Sequence, residues 1–321
     1  MSDVAQVSDP FQEIFNRLKA GDFANGWPLH EQRWQSKSMK AAAALLAQRN
    51  FKVPLWLGKE SLVGKTIFIW PEQGHGDVMQ FVRYVNDVAN LGGKVLLAAH
   101  TAMIRLFKQS FTRPNIEVVL DLEEHDYQFD FHCPIMSLPL ACKVDSLDKI
   151  PPCAPYLFSP QVDDPQAILR VGLVWAGGAK LDIDAERSLS FSQLQPLMVL
   201  AGRERIQFFS LQMGEAAMQL ADVPHSPITD LTANVKDWAD TAALIANLDL
   251  VISVDTAVAH LAAAMGKPTW VLSRKSGCWR WFEGRDDSPW YPTVRLFRQK
   301  TQGDWDGVMA EVAAALASYN G

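Results

Sequence analysis

Two short segments of this 321-residue chain carry side chains able to do chemistry. The first is Glu72-Gln73-Gly74-His75-Gly76-Asp77, placed between the apolar run Lys65–Trp70 and the helix-patterned stretch Val78–Asn90. A carboxylate at a helix start, just past the carboxyl end of a strand, has two readings. Asp77 caps the helix, using its free N–H groups and dipole, or it stands on a cleft floor as a general base. Polar neighbours at Glu72, Gln73 and His75, where a buried strand ends, add weight to the second reading and join Asp77 as cleft candidates. The second segment is Asp255-Thr256-Ala257-Val258-Ala259-His260. Thr256 and His260 are four apart and share one helix face. A helix N-terminus after a buried strand is a ready anion site, suited to a diphosphate. The competing reading makes Asp255 a cap and His260 a core histidine with its hydrogen bonds satisfied.

Other phosphate and hydrolase motifs fail. Lys59 to Thr66 resembles a P-loop only at its end, with Gly58 one residue out of register and a strand following where one must precede. Gly74-x-Gly76 lacks the third glycine of a dinucleotide fingerprint, since Met79 stands there, and no acidic residue follows at the required distance. There is no G-x-S-x-G elbow and no H-E-x-x-H helix. Cys133, Cys142, Cys153 and Cys278 form no C-x-x-C pair and match no zinc spacing, so they read as reduced core or loop thiols. No metal ligand set is predicted.

The elements that position these segments alternate. Residues 11–50 are patterned as helices, punctuated by Gly21 and Gly26. The strand Lys65–Trp70, the helix Val78–Asn90, the strand Lys94–Ala99, the helix Ala102–Lys108 and strands at Ile116–Leu120 and Phe129–His132 follow, with a short helix at Met136–Ala141. A proline-rich stretch from Ile150 to Pro165 reads as a linker. Beyond it come strands at Arg170–Trp175, Arg205–Leu211, Leu250–Val254 and Thr269–Leu272, with helices at Phe191–Leu200, Glu215–Leu220, Val235–Ala246 and Thr256–Met265. A final helix, Asp304–Tyr319, could pack on either half. Two such series predict an α/β protein with two parallel-sheet lobes facing across a cleft.

The length suits two domains, and 48% hydrophobic with 21% charged residues excludes disorder as the main state. A net charge of −6 with no basic run argues against nucleic acid as a partner. No 18-residue apolar span and no charged, apolar leader is found, so neither a transmembrane segment nor secretion is expected, and the compartment is taken as cytoplasmic.

Taken together, Gly-His-Gly-Asp77 and Asp255-Thr-Ala-Val-Ala-His260-Leu through Gly266-Lys-Pro268 resemble the signatures of heptosyltransferase-like glycosyltransferases of the GT-B fold. The chain is more similar still to the glycosyltransferase-like modules at the C-terminus of bacterial tetratricopeptide-repeat proteins. That resemblance also rests on Gly26-Trp27-Pro-Leu-His-Glu31-Gln-Arg33-Trp34, His132–Pro139, Gly172–Gly177, Phe208–Gln212 and Trp279–Pro292, and covers nearly the whole chain. It implies four parts: a helical preface of residues 1–58, an acceptor lobe 59–160, a nucleotide-sugar lobe 161–302 and a C-terminal helix 303–321. It also implies a metal-independent, inverting transfer from a nucleotide-diphosphate sugar, a co-substrate, with no cofactor, to a hydroxyl acceptor on a protein, glycan or lipid-linked carrier.

In that reading Asp77 deprotonates the acceptor, Glu72, Gln73 and His75 line its side of the cleft, and Trp175, Arg187, Ser188, Gln212, Asp255, Thr256, Ala257 and His260 hold the donor. The aromatics Trp279, Trp281, Trp290 and Tyr291, with neighbouring arginines, either stack on a sugar or base or pack the lobe. Departures from the family pattern stand at Gly178, Ala179, Leu181 and Met213, and they remove polar groups from the donor side. Two other readings compete: a sugar-nucleotide epimerase on the same fold, and a binding module without transfer activity. Self-association through the preface, giving a homo-oligomer, is a further option.

Overall fold

The computed structural model describes residues 10–35, 40–121, 127–151, 155–161, 168–178, 184–201 and 205–319. The expectations for Cys153 and for Ala179 to Leu181 fall outside these residues, as does much of the expected linker. Ten described strands form two all-parallel sheets. The first contains β1 (Thr66–Trp70), β2 (Lys94–Ala99), β3 (Ile116–Leu120) and β4 (Phe131–Pro134) in the order β3-β2-β1-β4. The second contains β5 (Leu169–Val174), β6 (Ile206–Ser210), β7 (Ile228–Asp230), β8 (Leu250–Val254), β9 (Thr269–Ser273) and β10 (Val294–Arg298) in the order β10-β9-β8-β5-β6-β7. This is the two-lobe α/β architecture expected. β7 and β10 are additions to the predicted set; β7 has three residues and shows no alternation long enough to read.

Before the first sheet come α1 (Pro10–Lys19), α2 (Phe23–His30) and α3 (Lys40–Arg49). Within the lobe are α4 (His75–Phe81), α5 (Val85–Asn90), α6 (Ile104–Ser110) and α7 (Leu138–Ala141). The second sheet carries α8 (Asp184–Arg187), α9 (Gln195–Ala201), α10 (Met218–Ala221), α11 (Trp238–Ala246) and α12 (Ala257–Ala264), and α13 (Trp305–Ala317) ends the described chain. The helix expected from Val235 begins three residues later, because Asp237 turns extended and its carboxylate accepts from the Ala239 and Asp240 N–H groups, fixing the N-cap there. α13 packs on the second lobe, with Trp305, Val308, Val312 and Leu316 in one core with Trp270 and Phe297.

Period-two alternation in β1 explains the layers. Ile67 and Ile69 point to a core shared with α4, α5 and α12, while Phe68 and Trp70 point the other way, to a cluster that Leu45 and Leu46 of α3 and Phe51 cover. A parallel sheet needs both faces covered, and α3 supplies the second cover here. Arg49 at its end forms a two-pronged ion pair with Asp121, at 2.6 and 2.7 Å. The other preface helices sit on the seam between the lobes. Phe23 and Trp27 of α2 meet Phe81 of the first lobe and Trp279 and Trp290 of the second in edge and tilted ring contacts.

Candidate active site

Ligands of parallel sheets sit beyond the strands' carboxyl ends, where neighbouring strands connect in opposite directions. In the first sheet that point is β1 beside β4, and in the second it is β5 beside β8. The loops after β1, β5, β6 and β8 line one cleft of about 910 Å³. Gln73, His75, Asp77, Arg187, Gln212, Asp255, Thr256, Ala257 and His260 all line it. Both chemistry-bearing segments therefore face each other, Gly74–Asp77 from one lobe and Asp255–His260 from the other.

Gly76 makes this approach possible. A Cβ built on it would lie 2.9 Å from His260 Cδ2 and 3.4 Å from the Ala257 Cα. The second glycine of Gly-His-Gly-Asp is thus the point where the first turn of α4 rests on the first turn of α12. Asp77 bonds at the start of α4 and also lines the cleft. Its Oδ2 accepts from the Gly74 N–H at 2.9 Å, and its Oδ1 pairs with Arg280 of the opposite lobe. Its side chain keeps 21% exposure at the cleft.

On the donor side Thr256, the N-cap of α12, makes no side-chain bond to the helix's first turn; its hydroxyl meets Ser253 Oγ at 3.0 Å. The dipole end of α12 therefore faces the cleft. Arg187 is fixed beside it by Nε to Asp184 at 2.6 Å and Nη1 to the Asp255 carbonyl at 2.9 Å. His260 is buried, its Nδ1 2.9 Å from the Tyr291 hydroxyl and its ring stacked on Trp281. Burial, with Arg280 and Arg83 nearby, pushes its pKa down to about 3, so it is neutral at pH 7. Burial raises the pKa of the Asp255 carboxyl. At the cleft's other end Trp238 donates its indole N–H to His75 Nδ1 at 3.0 Å, and burial lowers the pKa of His75.

Three predicted site residues lie elsewhere. Glu72 is 2% exposed and faces away from the cleft, because Arg33 takes both of its oxygens at 3.0 and 2.7 Å. Trp175 is fully buried, its ring packed on Phe191 in the second lobe's core. Ser188 does not line the cleft and instead accepts from the Gly177 N–H at 3.0 Å. Gln212 lines the cleft, but its amide is occupied in joining strand ends: Oε1 accepts from Trp175 and Ala176, and Nε2 donates to Met213. Trp279, Trp281, Trp290 and Tyr291 are all 5% exposed or less, so packing is their role.

Arg280, Trp238 and Lys236 line the cleft without having been singled out as site residues. The cluster of arginines around Arg280 was the available signal. Met213, which departs from the family pattern, lies in the cleft wall as a half-exposed apolar side chain.

Residues 210–281, which include the Asp255–His260 segment and Arg280, match glycosyltransferase family 9 (heptosyltransferase). That segment is heptosyltransferase-like. In fold it is similar to E. coli ADP-heptose lps heptosyltransferase II, at 12% identity and TM-score 0.54 over 78% of this chain and 98% of that one. It is likewise similar to E. coli heptosyltransferase WaaC with ADP, at 13% identity and TM-score 0.52 over 78% and 99%. Among curated proteins it is 29% identical to Protein FlbA of Caulobacter vibrioides over 94% of this chain. The chain spans about half, 54%, of the length of that relative. The fold expected from the two signature segments, two parallel-sheet lobes as in the GT-B heptosyltransferase structures, therefore holds. No helix among the described residues is long and apolar enough to cross a membrane.

Proposed function

We propose that the protein is a cytoplasmic, metal-independent, inverting glycosyltransferase that moves a sugar from a nucleotide-diphosphate donor to a hydroxyl acceptor in the cleft. One observation carries this reading: a partly exposed carboxylate, Asp77, lies across a single cleft from the N-terminus of α12, within a fold similar to heptosyltransferases. In the step proposed, Asp77 takes the acceptor's hydroxyl proton and the acceptor oxygen bonds to the anomeric carbon. The bond from that carbon to the diphosphate oxygen breaks, and the nucleoside diphosphate leaves. Its charge is met by the α12 N–H groups, Arg187 and Arg280.

WaaC was solved with ADP, which makes an ADP-sugar the first donor to try. The helices before the first sheet are read as the end of a tetratricopeptide-like array, a further part of the proposal. A binding module without transfer is the second reading, and exposed Met213 in the donor wall favours it. Calorimetry with a panel of nucleotides and nucleotide-sugars, with and without Mg²⁺, tests both. Saturable, Mg²⁺-independent binding of one diphosphate-sugar supports the transferase, and Asp77→Ala must then abolish turnover while keeping that binding. Turnover unchanged in Asp77→Ala removes Asp77 as the base.

A further inference from the structure

In this conformation both oxygens of the Asp77 carboxylate are engaged. Oδ2 accepts from the Gly74 N–H, and Oδ1 is paired with Nη2 of Arg280 from across the cleft. A base whose oxygens are held in this way is poorly placed to take a proton, because the guanidinium occupies the oxygen that an acceptor hydroxyl would have to reach.

Arg280 is only partly satisfied by this arrangement. It is 8% exposed, its guanidinium carbon lies 4.4 Å from the Trp279 ring centroid, and its Nη1 meets Cys278 Sγ at 3.2 Å, a weak acceptor. Its Nε–H is buried with no partner among the described residues. Buried donors normally find acceptors. The same guanidinium lines the cleft with the N-terminus of α12, where the transferase reading places the diphosphate.

We infer that Arg280 is shared between Asp77 and the donor: it holds the carboxylate until a diphosphate competes for the guanidinium, and the base is released only when donor is in place. This rests on the transferase reading above. The guanidinium presents five donors in a planar fork, so it can turn one edge to phosphate oxygens without leaving its seat on Trp279. Donor then binds before a productive acceptor, and an acceptor hydroxyl meets a free base only beside a donor sugar. Idle acceptor binding is thereby suppressed.

Competition of this kind has a sign that a structural ion pair lacks. If Asp77 and the diphosphate draw on the same guanidinium, removing the Asp77 charge tightens diphosphate binding, and it does so only while Arg280 is present. The experiment is a double-mutant cycle in the full chain, with calorimetric titration of ADP and, separately, inorganic pyrophosphate into wild type, Asp77→Asn, Arg280→Gln and the double variant. Thermal unfolding checks each protein for folding.

The expected result is that Asp77→Asn tightens ADP by about two- to 150-fold, the usual span of couplings between neighbours, and has little effect in the Arg280→Gln background. Arg280→Gln alone weakens both ligands. Equal tightening in both backgrounds reduces Asp77 to simple charge repulsion and overturns the inference, as does no tightening at all. In either case the transferase reading stands, because ADP still binds. Failure of both probes to bind folded wild type removes the transferase reading and this inference together. Should Arg280→Gln not fold, Arg280→Lys completes the cycle. It keeps the charge but loses the fork, so a coupling cut by half or more is expected, and undiminished coupling rejects the role of the guanidinium.

Discussion

Gly76→Ala tests the contact that brings the two segments together. The added Cβ would sit 2.9 Å from His260 Cδ2, 3.4 Å from the Ala257 Cα and 3.7 Å from its nitrogen. Carbon atoms prefer about 3.5–4.0 Å, so roughly 0.6 Å must be found. His260 cannot yield easily, since it is 4% exposed, bonded to the Tyr291 hydroxyl and stacked on Trp281. The helices α4 and α12 must therefore part. Overpacking of this kind costs about 1–3 kcal/mol, and alanine in place of glycine inside a helix returns up to about 1 kcal/mol. The net expectation is a loss of roughly 1–2 kcal/mol in urea unfolding, together with weaker ADP binding, because the cleft widens at its floor. Gly178→Ala is the control: its Cβ meets nothing within 4 Å, and stability should stay within about 0.5 kcal/mol of wild type. A Gly76→Ala protein as stable as the control, with unchanged ADP affinity, would refute the description of the lobe contact.

Arg33→Met leaves Glu72 ionised or protonated in a dry site and should cost about 3–5 kcal/mol in denaturant unfolding; Arg33→Met with Glu72→Met should cost less than the single change, since no charge is stranded. Equal losses would mean the pair is not coupled. Asp237→Ala removes the N-cap of α11 and one of Arg105's two carboxylate partners, Asp240 remaining. A loss of about 1 kcal/mol is expected from the cap, with little more from the exposed pair, so raising the salt concentration should barely change the difference between variant and wild type. His260, held near pKa 3 in the fold against an ordinary value of 6.5, sets a pH dependence. The unfolded chain binds its proton first, so stability is fully present above about pH 6.5 and falls by roughly 1.4 kcal/mol per pH unit below it, until the folded pKa is passed. His260→Gln should flatten that slope by about one proton in urea titrations at pH 4–7; an unchanged slope would exclude burial of a neutral His260.

Much of the architecture was legible because buried parallel strands announce themselves as short apolar runs. Ile116–Leu120 and Leu250–Val254 match the observed strands residue for residue. β10 was missed because Val294–Arg298 interleaves two arginines with its apolar residues and reads as surface. The cleft segments were legible through polar residues standing at strand ends. Their division of labour was not, because it depends on partners remote in sequence. Glu72 has the same local setting as His75, yet Arg33, 39 positions away, draws it into the interior. Trp175 follows a strand end as a site residue should, but its ring turns toward Phe191. No spacing rule distinguishes these cases, since each is decided by which side chain the tertiary fold brings alongside.

Arg33 also explains why the helical preface and the cleft signature occur as one unit. Its guanidinium is fully buried and reaches Glu72, Glu31, His30 and Ser137 together. Glu72 in turn accepts from the Met136 N–H at 3.2 Å, tying the end of β1 to the segment after β4. The next residue, Gln73, adopts a left-handed φ of 61°, a costly conformation for a side chain with a Cβ. Anchoring on both sides, by Glu72 before it and by the Gly74 N–H to Asp77 hydrogen bond after it, holds that turn and aims Gly74–Asp77 at α12. A carboxylate at position 72 without a guanidinium from the preface would be a stranded buried charge. The preface is therefore a structural requirement of the loop that carries Asp77, and α2 extends this dependence to the second lobe through Trp27 against Trp279 and Trp290.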